Sequence, residues 1–413
     1  MNYNEESIQI RKKNQGINFT FLLQNSFFLI TGTVVAILMA NLAYEPYTKI
    51  IHSEFSLFFK TYHFNFHFIV NDILMCFFFA LAAKEICEAL LPGGVLSSPK
   101  KAVTPLIATV GGVIGPACFY IIGLSILNAP ELINGWAIPC ATDIAFSYLV
   151  ARIVFGNGHP AIPFLLLLAI ADDAISLVIL AVIYPQGQIN LFVFVLCVVS
   201  AVLFNLIILR KVLKVNNFWP YLIIAGPLSW YGFLEGGIHT ALALVPIIPT
   251  LPHKQIRNGF FERIKKLRVG KKYDALNSFE NWWKNPVEII LMLFGFVNAG
   301  VVFEYVGITT WLVSGGLLIG KPVGIIIMSF LATKLFRLEL PKNMTMKDLI
   351  VISFIAGIGF TVALFTATIA FPAGENLNGA KMGALFSFFA FILAFAFAKI
   401  FHIGKYNKAL YQN

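Results

Sequence analysis

The chain has 413 residues, of which 58% are hydrophobic and only 12% charged, with a mean hydropathy of +0.81. Ordinary globular domains carry roughly a quarter charged residues to cover their surface, so a soluble fold is excluded and the composition is that of an all-α polytopic membrane protein. The net charge of +10 comes without a basic face or any nucleic-acid-binding motif; the Lys and Arg flank apolar runs, so the expected surroundings are membrane lipid and not nucleic acid.

In chain order, residues 1–26 read as a cytoplasmic N-terminal tail. The tail is too long and mixed for the charged start of a signal peptide, and no clean A-x-A cleavage site follows the first apolar run. A span needs about 20 mostly apolar residues to cross a hydrocarbon core roughly 30 Å thick. That ruler gives twelve candidates, near 27–43, 67–90, 103–128, 136–155, 161–185, 191–209, 218–235, 237–252, 286–311, 312–336, 349–371 and 380–402. They form a single transmembrane transporter domain, 27–402, followed by a short cytoplasmic tail, 403–413. Cys76, Cys87, Cys118, Cys140 and Cys197 stand singly in apolar runs without metal-ligand spacing, so they read as small buried hydrophobes, and no cofactor is expected.

Charge placement orients the spans. With a cytoplasmic N-terminus, Lys and Arg should collect in the tail and in every second loop. Arg11, Lys12 and Lys13 lie in the tail, Lys100 and Lys101 follow the second span, Arg210, Lys211 and Lys214 the sixth, and Arg337, Lys342 and Lys347 the tenth. The loop 253–285 holds the largest basic group, including Arg263, Lys265, Lys266, Arg268, Lys271 and Lys272. Of the 30 Lys and Arg, only Lys49, Lys60 and Lys381 fall on the opposite side and Lys321 inside a span. Such a bias needs an even number of spans and both termini inside.

Ionisable groups within spans are costly and mark ion or substrate pathways. Here they share one depth. Asp173 is the middle of 161–185, Thr142 and Asp143 lie near the centre of 136–155, and Lys321 lies near the middle of 312–336. At ~1.5 Å per residue the four charges Asp143, Asp172, Asp173 and Lys321 fall within about 5 Å of a common plane. An ion pair accounts for one aspartate with Lys321. The other two carboxylates have no second buried cation and must carry a proton or hold an ion. Side chains of helix neighbours point ~100° apart, so Asp172 and Asp173 face different partners: one can face Lys321, the other the span carrying Asp143. Oxygen ligands from Asp173, Asp143, Asp172 and Thr142 suit Na+ or Li+. Competition of proton and cation for the same oxygens is antiport chemistry.

Broken helices are expected as well. Pro139 precedes Asp143 by four residues, and Gly357 and Gly359 sit at the centre of 349–371. Interrupted segments in corresponding places of two halves point to an inverted-repeat transporter. The broken ends leave partial charges at the midplane, which Asp143 can balance on exposed N–H groups and Lys321 on exposed carbonyls.

The strings "ATDIAFS" (141–147), "AIADDAIS" (169–176), "GGIHTALA" (236–243), "FGFVNAGV" (294–301), "IGKPVGI" (319–325) and "GIGFTVALF" (357–365), with "NDILMCFFFALAAKE" (71–85), resemble the NhaA-type sodium/proton antiporters in consistent order from about 27 to 400. The resemblance implies twelve transmembrane helices with inverted repeats and two crossed, discontinuous helices in spans four and eleven. It implies Asp173 as the main cation ligand with Asp143 and Thr142 close by, and Asp172 paired with Lys321 in a unit that exchanges protons as the cation binds. It further implies electrogenic exchange of cytoplasmic Na+ or Li+ for external protons without ATP, in a bacterial plasma (inner) membrane. A homodimer is implied through the loop after span one, here "YEPYTKIIHSEFSLFFKTYHFNF". Glu85 and His239 match positions the family associates with pH response, but "KEICEALL" departs from the family's charge-rich pattern after Glu85.

Other readings are a sodium-coupled solute symporter, an intramembrane aspartyl protease and a passive channel. The first would need more polar midplane residues than the spans hold. The second is an enzyme, which the chain is not expected to be, and Lys321 would spoil the proton its two carboxylates must share. The third does not need tightly paired buried charge.

Overall fold

The computed structural model describes residues 27–55, 64–92, 94, 96, 99–156, 158–253, 274–335 and 337–403. The N-terminal tail, nearly all of the C-terminal tail, most of the basic loop 253–285 and part of the expected dimer loop lie outside the described residues. The helices are α1 (Phe27–Leu42), α2 (Phe66–Leu90), α3 (Pro99–Leu127), α4 (Pro130–Cys140 and Ile144–Phe155), α5 (Ala161–Ile183), α6 (Leu191–Val212) and α7 (Trp219–Glu235), then α8 (Ala275–Asn298), α9 (Ile308–Lys334), α10 (Met346–Ala356 and Phe360–Ala370) and α11 (Glu375–Ile400). Between α1 and α2 a short helix, Tyr44–Ile51, leads into a two-residue antiparallel ladder that pairs Glu54 with Asn65 and Phe55 with Phe64.

Six of these helices are long and apolar enough to cross a membrane on their own, eight when each broken pair is taken as one span. The chain is therefore a multi-pass membrane protein. Two segments differ from the sequence expectation. The stretch 237–252 holds two 3-10 turns, Thr240–Leu242 and Ile248–Thr250, in place of one α-helix. Pro246 and Pro249 lack the N–H that an α-helical ladder needs there. The loop expected to run to 285 ends earlier: α8 starts at Ala275, capped by Asp274, whose carboxylate accepts from Asn277 N at 2.9 Å. Among the cysteines, Cys76 and Cys140 are buried as expected, whereas Cys118 is exposed on α3; all five are free.

Backbones approach closely where glycines line a helix face. Gly111 and Gly115 of α3 meet Gly320 and Gly324 of α9, and a Cβ on Gly324 would collide with the Gly111 carbonyl. Small residues one turn apart are the usual means of tight helix packing in lipid. The contact brings the α9 residue Lys321 against the core of α3, α4 and α5.

Candidate functional site: the meeting of two broken helices

α4 and α10 each bend at their break, by 54° and 45° respectively. In α4 the 3-10 turns end at Cys140, three residues run without helical hydrogen bonds, and the α-helix restarts with Asp143 as its cap; Asp143 Oδ1 accepts from Phe146 N at 3.2 Å. In α10 the first piece closes at Gly357 and the second opens after Gly359. Neither glycine has positive φ. They are needed for space: a Cβ on Gly359 would lie 2.5 Å from the Ala141 carbonyl oxygen, and one on Gly357 2.5 Å from that of Leu317. Pro139 packs on Gly316 of α9, where a Cβ would come within 2.7 Å of the proline ring.

Each break satisfies the other's orphaned backbone groups. Asp143 N donates to Ile358 O at 2.7 Å, Thr142 Oγ1 to Ala356 O at 3.0 Å, and Ser147 Oγ to Ile355 O at 3.0 Å. Asp143 Oδ2 accepts from Thr361 Oγ1 at 2.7 Å and Thr361 N at 3.3 Å. Asp143 thus lies on free N–H groups of both helices, the favourable place for negative charge. Lys321 Nζ donates to Cys140 O, the last carbonyl of the first half of α4, and to Asp172 Oδ2 at 2.7 Å. Lys321 and Asp172 are both 0% exposed, so the pair is fully removed from solvent.

Asp173 is half-buried and lines a small cavity together with Phe78, Phe79, Ala82, Ser176, Leu177 and Val362. The residues around that cavity come from α2, α5 and the second half of α10. Asp173 Oδ1 is sequestered and has no hydrogen-bond partner among the described residues. The carboxylates whose charges act on it are Asp172, Glu85 and Asp143. No group of three His, Cys, Asp or Glu among the described residues forms a preassembled metal cage.

The pH-response candidates separate. Glu85 lies near the end of α2 beside a charged knot, in which Lys84 pairs with Glu88 at 2.9 Å and with Glu280 of α8. His239 is buried; its Nδ1 accepts from Ala241 N at 3.2 Å to cap a 3-10 turn, and its ring packs on Phe365 with centroids 4.8 Å apart. Its immediate task is capping and packing. Sequence reasoning missed Thr361 and the Cys140 carbonyl. Thr361 had a signal: it stands just past the second break as Thr142 stands in the first.

A sequence model of the family described as Na+/H+ antiporter 1 matches residues 22–398. The chain belongs to the Na+/H+ antiporter 1 family. It is 44% identical over 421 residues to a protein of Jannaschia sp. (strain CCS1) named Na(+)/H(+) antiporter NhaA, covering 94% of this chain and 98% of that one. Proteins of the same name from Desulfitobacterium hafniense (strain DSM 10664 / DCB-2) and Geotalea uraniireducens (strain Rf4) are each 45% identical, covering 93% of this chain and 96% and 97% of theirs. The family is one of transporters, and the buried Asp172–Lys321 pair lies within the matched region.

Proposed function

We propose that the protein exchanges cytoplasmic Na+ or Li+ for external protons, electrogenically, by competition of cation and proton for midplane carboxylates. The carrying observation is Asp173: a carboxylate oxygen held out of water without a donor, next to an ion pair that already uses Asp172 and Lys321. An unpaired carboxylate in such a place binds a proton or a hard cation, not both. Asp173 is the main ligand of the travelling cation, with Asp143 and Thr142 completing an oxygen set as the breaks adjust, and the Asp172–Lys321 pair exchanges protons during the cycle. Pro139, Gly357 and Gly359 maintain the breaks that bring these oxygens together. Of the two pH-response positions, Glu85 is the better placed, between the charged knot and Asp173.

The wider arrangement belongs to the same reading: twelve spans, two inverted repeats crossing at α4 and α10, a single transporter domain with cytoplasmic tails, a bacterial inner membrane and a homodimer through the loop after α1. Against the protease alternative, Lys321 pairs with Asp172 and holds that carboxylate ionised, which a proton-sharing dyad built on it cannot tolerate.

The test uses everted or reconstituted vesicles with a preset pH gradient. Added Na+ or Li+ collapses the gradient with the native protein and leaves it intact with Asp173→Asn or Asp143→Asn. A gradient that ignores the cation, cation uptake that requires an organic solute, or cleavage of a membrane peptide overturns the proposal.

A further inference from the structure

One partly buried acid, Glu288, takes no part in the site described above. Glu288 lies in α8, at the end of the series Glu280, Lys284, Glu288, whose spacing of four puts all three on one helix face. At ~1.5 Å per residue it stands about 12 Å farther along the axis than Glu280, which is held by Lys84 of α2. Glu288 is half-buried, yet its Oε2 is fully sequestered and makes no hydrogen bond among the described residues. The other charges acting on it are Asp143 of the broken helices and Lys284, one turn back, whose side chain is exposed.

A carboxylate in this position is expensive and contributes little to packing. A structural role would show as an ion pair or as donors satisfying both oxygens, and Oε2 lacks them. Glu288 instead stands about two turns beyond the knot that holds Glu280, on the same face of α8, within reach of the charge of Asp143.

We propose that Glu288 is a relay carboxylate for the alkali cation, drawing it from the Lys84–Glu280 end toward Asp143 and Asp173 and replacing part of its hydration shell on the way. This rests on the antiport reading. Glu288 attracts the cation but does not hold it in the final site, so its removal weakens capture more than turnover.

The experiment compares full-length native protein, Glu288→Gln, Glu288→Asp and Asp173→Asn in proteoliposomes over a Na+ series, with melting temperatures measured in detergent. Glu288→Gln is expected to raise the apparent KM for Na+ by about tenfold, the lower end of electrostatic focusing in a charged, low-dielectric cleft. Its maximal rate should stay within about twofold and its melting temperature should not fall. Glu288→Asp restores most of the KM, and added choline chloride narrows the difference between Gln and Glu by screening. An unchanged KM in Glu288→Gln overturns the inference, as does a fall in maximal rate and melting temperature together, the mark of a packing residue. If the native protein exchanges Na+ while Asp173→Asn does not, such results remove Glu288 alone. If the native protein shows no exchange, the antiport reading falls and this inference with it.

Discussion

Asp172 and Lys321 illustrate how an ion pair out of solvent behaves: its net contribution to stability is small, but each half alone is costly. Lys321→Ala leaves Asp172 buried without its cation and the Cys140 carbonyl without its donor, so detergent-solubilised protein should lose about 3–5 kcal/mol of stability. A thermal melt checks this, and Asp172→Asn with Lys321→Met should recover part of the loss; an unchanged melting temperature in Lys321→Ala contradicts the pair. Thr361 gives a finer test. Its hydroxyl donates to Asp143 at 2.7 Å, and a hydrogen bond to a charged group contributes about 1.5–3 kcal/mol. Thr361→Val should weaken Na+ affinity in the vesicle assay while Thr361→Ser keeps it; equal behaviour of the two variants counts against the contact. The aspartates and the lysine were legible in the sequence because charge in an apolar run is rare. The carbonyl of Cys140 was not, since every residue has a carbonyl; Thr361 had only its place just past the second break to set it apart from the hydroxyls common in membrane helices.

At the scale of elements, the breaks in α4 and α10 matter more than helix length. Pro139, Gly357 and Gly359 marked both of them in advance. What the sequence did not disclose is that each break supplies the other's missing hydrogen bonds, from Asp143 N to Ile358 O and from Thr142 to Ala356 O, because that pairing joins residues more than 200 positions apart. Gly359→Val should push a side chain into the Ala141 carbonyl and Leu317, separate the breaks and abolish Na+-driven proton movement, with a lowered melting temperature. Full transport in that variant would show that the breaks need not touch. The misread boundaries have local causes. The start of α8, "ALNSFENWWKNP", is polar enough to resemble loop, yet Asp274 caps it, and Phe279 on Phe218 and Trp283 on Phe77 anchor it. In 237–252 apolar composition suggested a helix, but Pro246 and Pro249 keep the backbone in 3-10 turns.

For the whole molecule, composition alone identified a membrane protein, and the charge bias proposes its orientation. A cysteine-free background with Gly270→Cys should react with a membrane-impermeant maleimide in everted vesicles and not in intact cells; labelling of intact cells would reverse the orientation. The central claim is that one acidic cluster holds either protons or an alkali cation. Its most direct test is proton release on binding: purified protein in weakly buffered detergent with a pH dye, given NaCl or an equal concentration of choline chloride. Na+ should release protons where choline does not, and the release should be lost in Asp173→Asn. Saturable binding of radioactive Na+ with no accompanying proton release would contradict it.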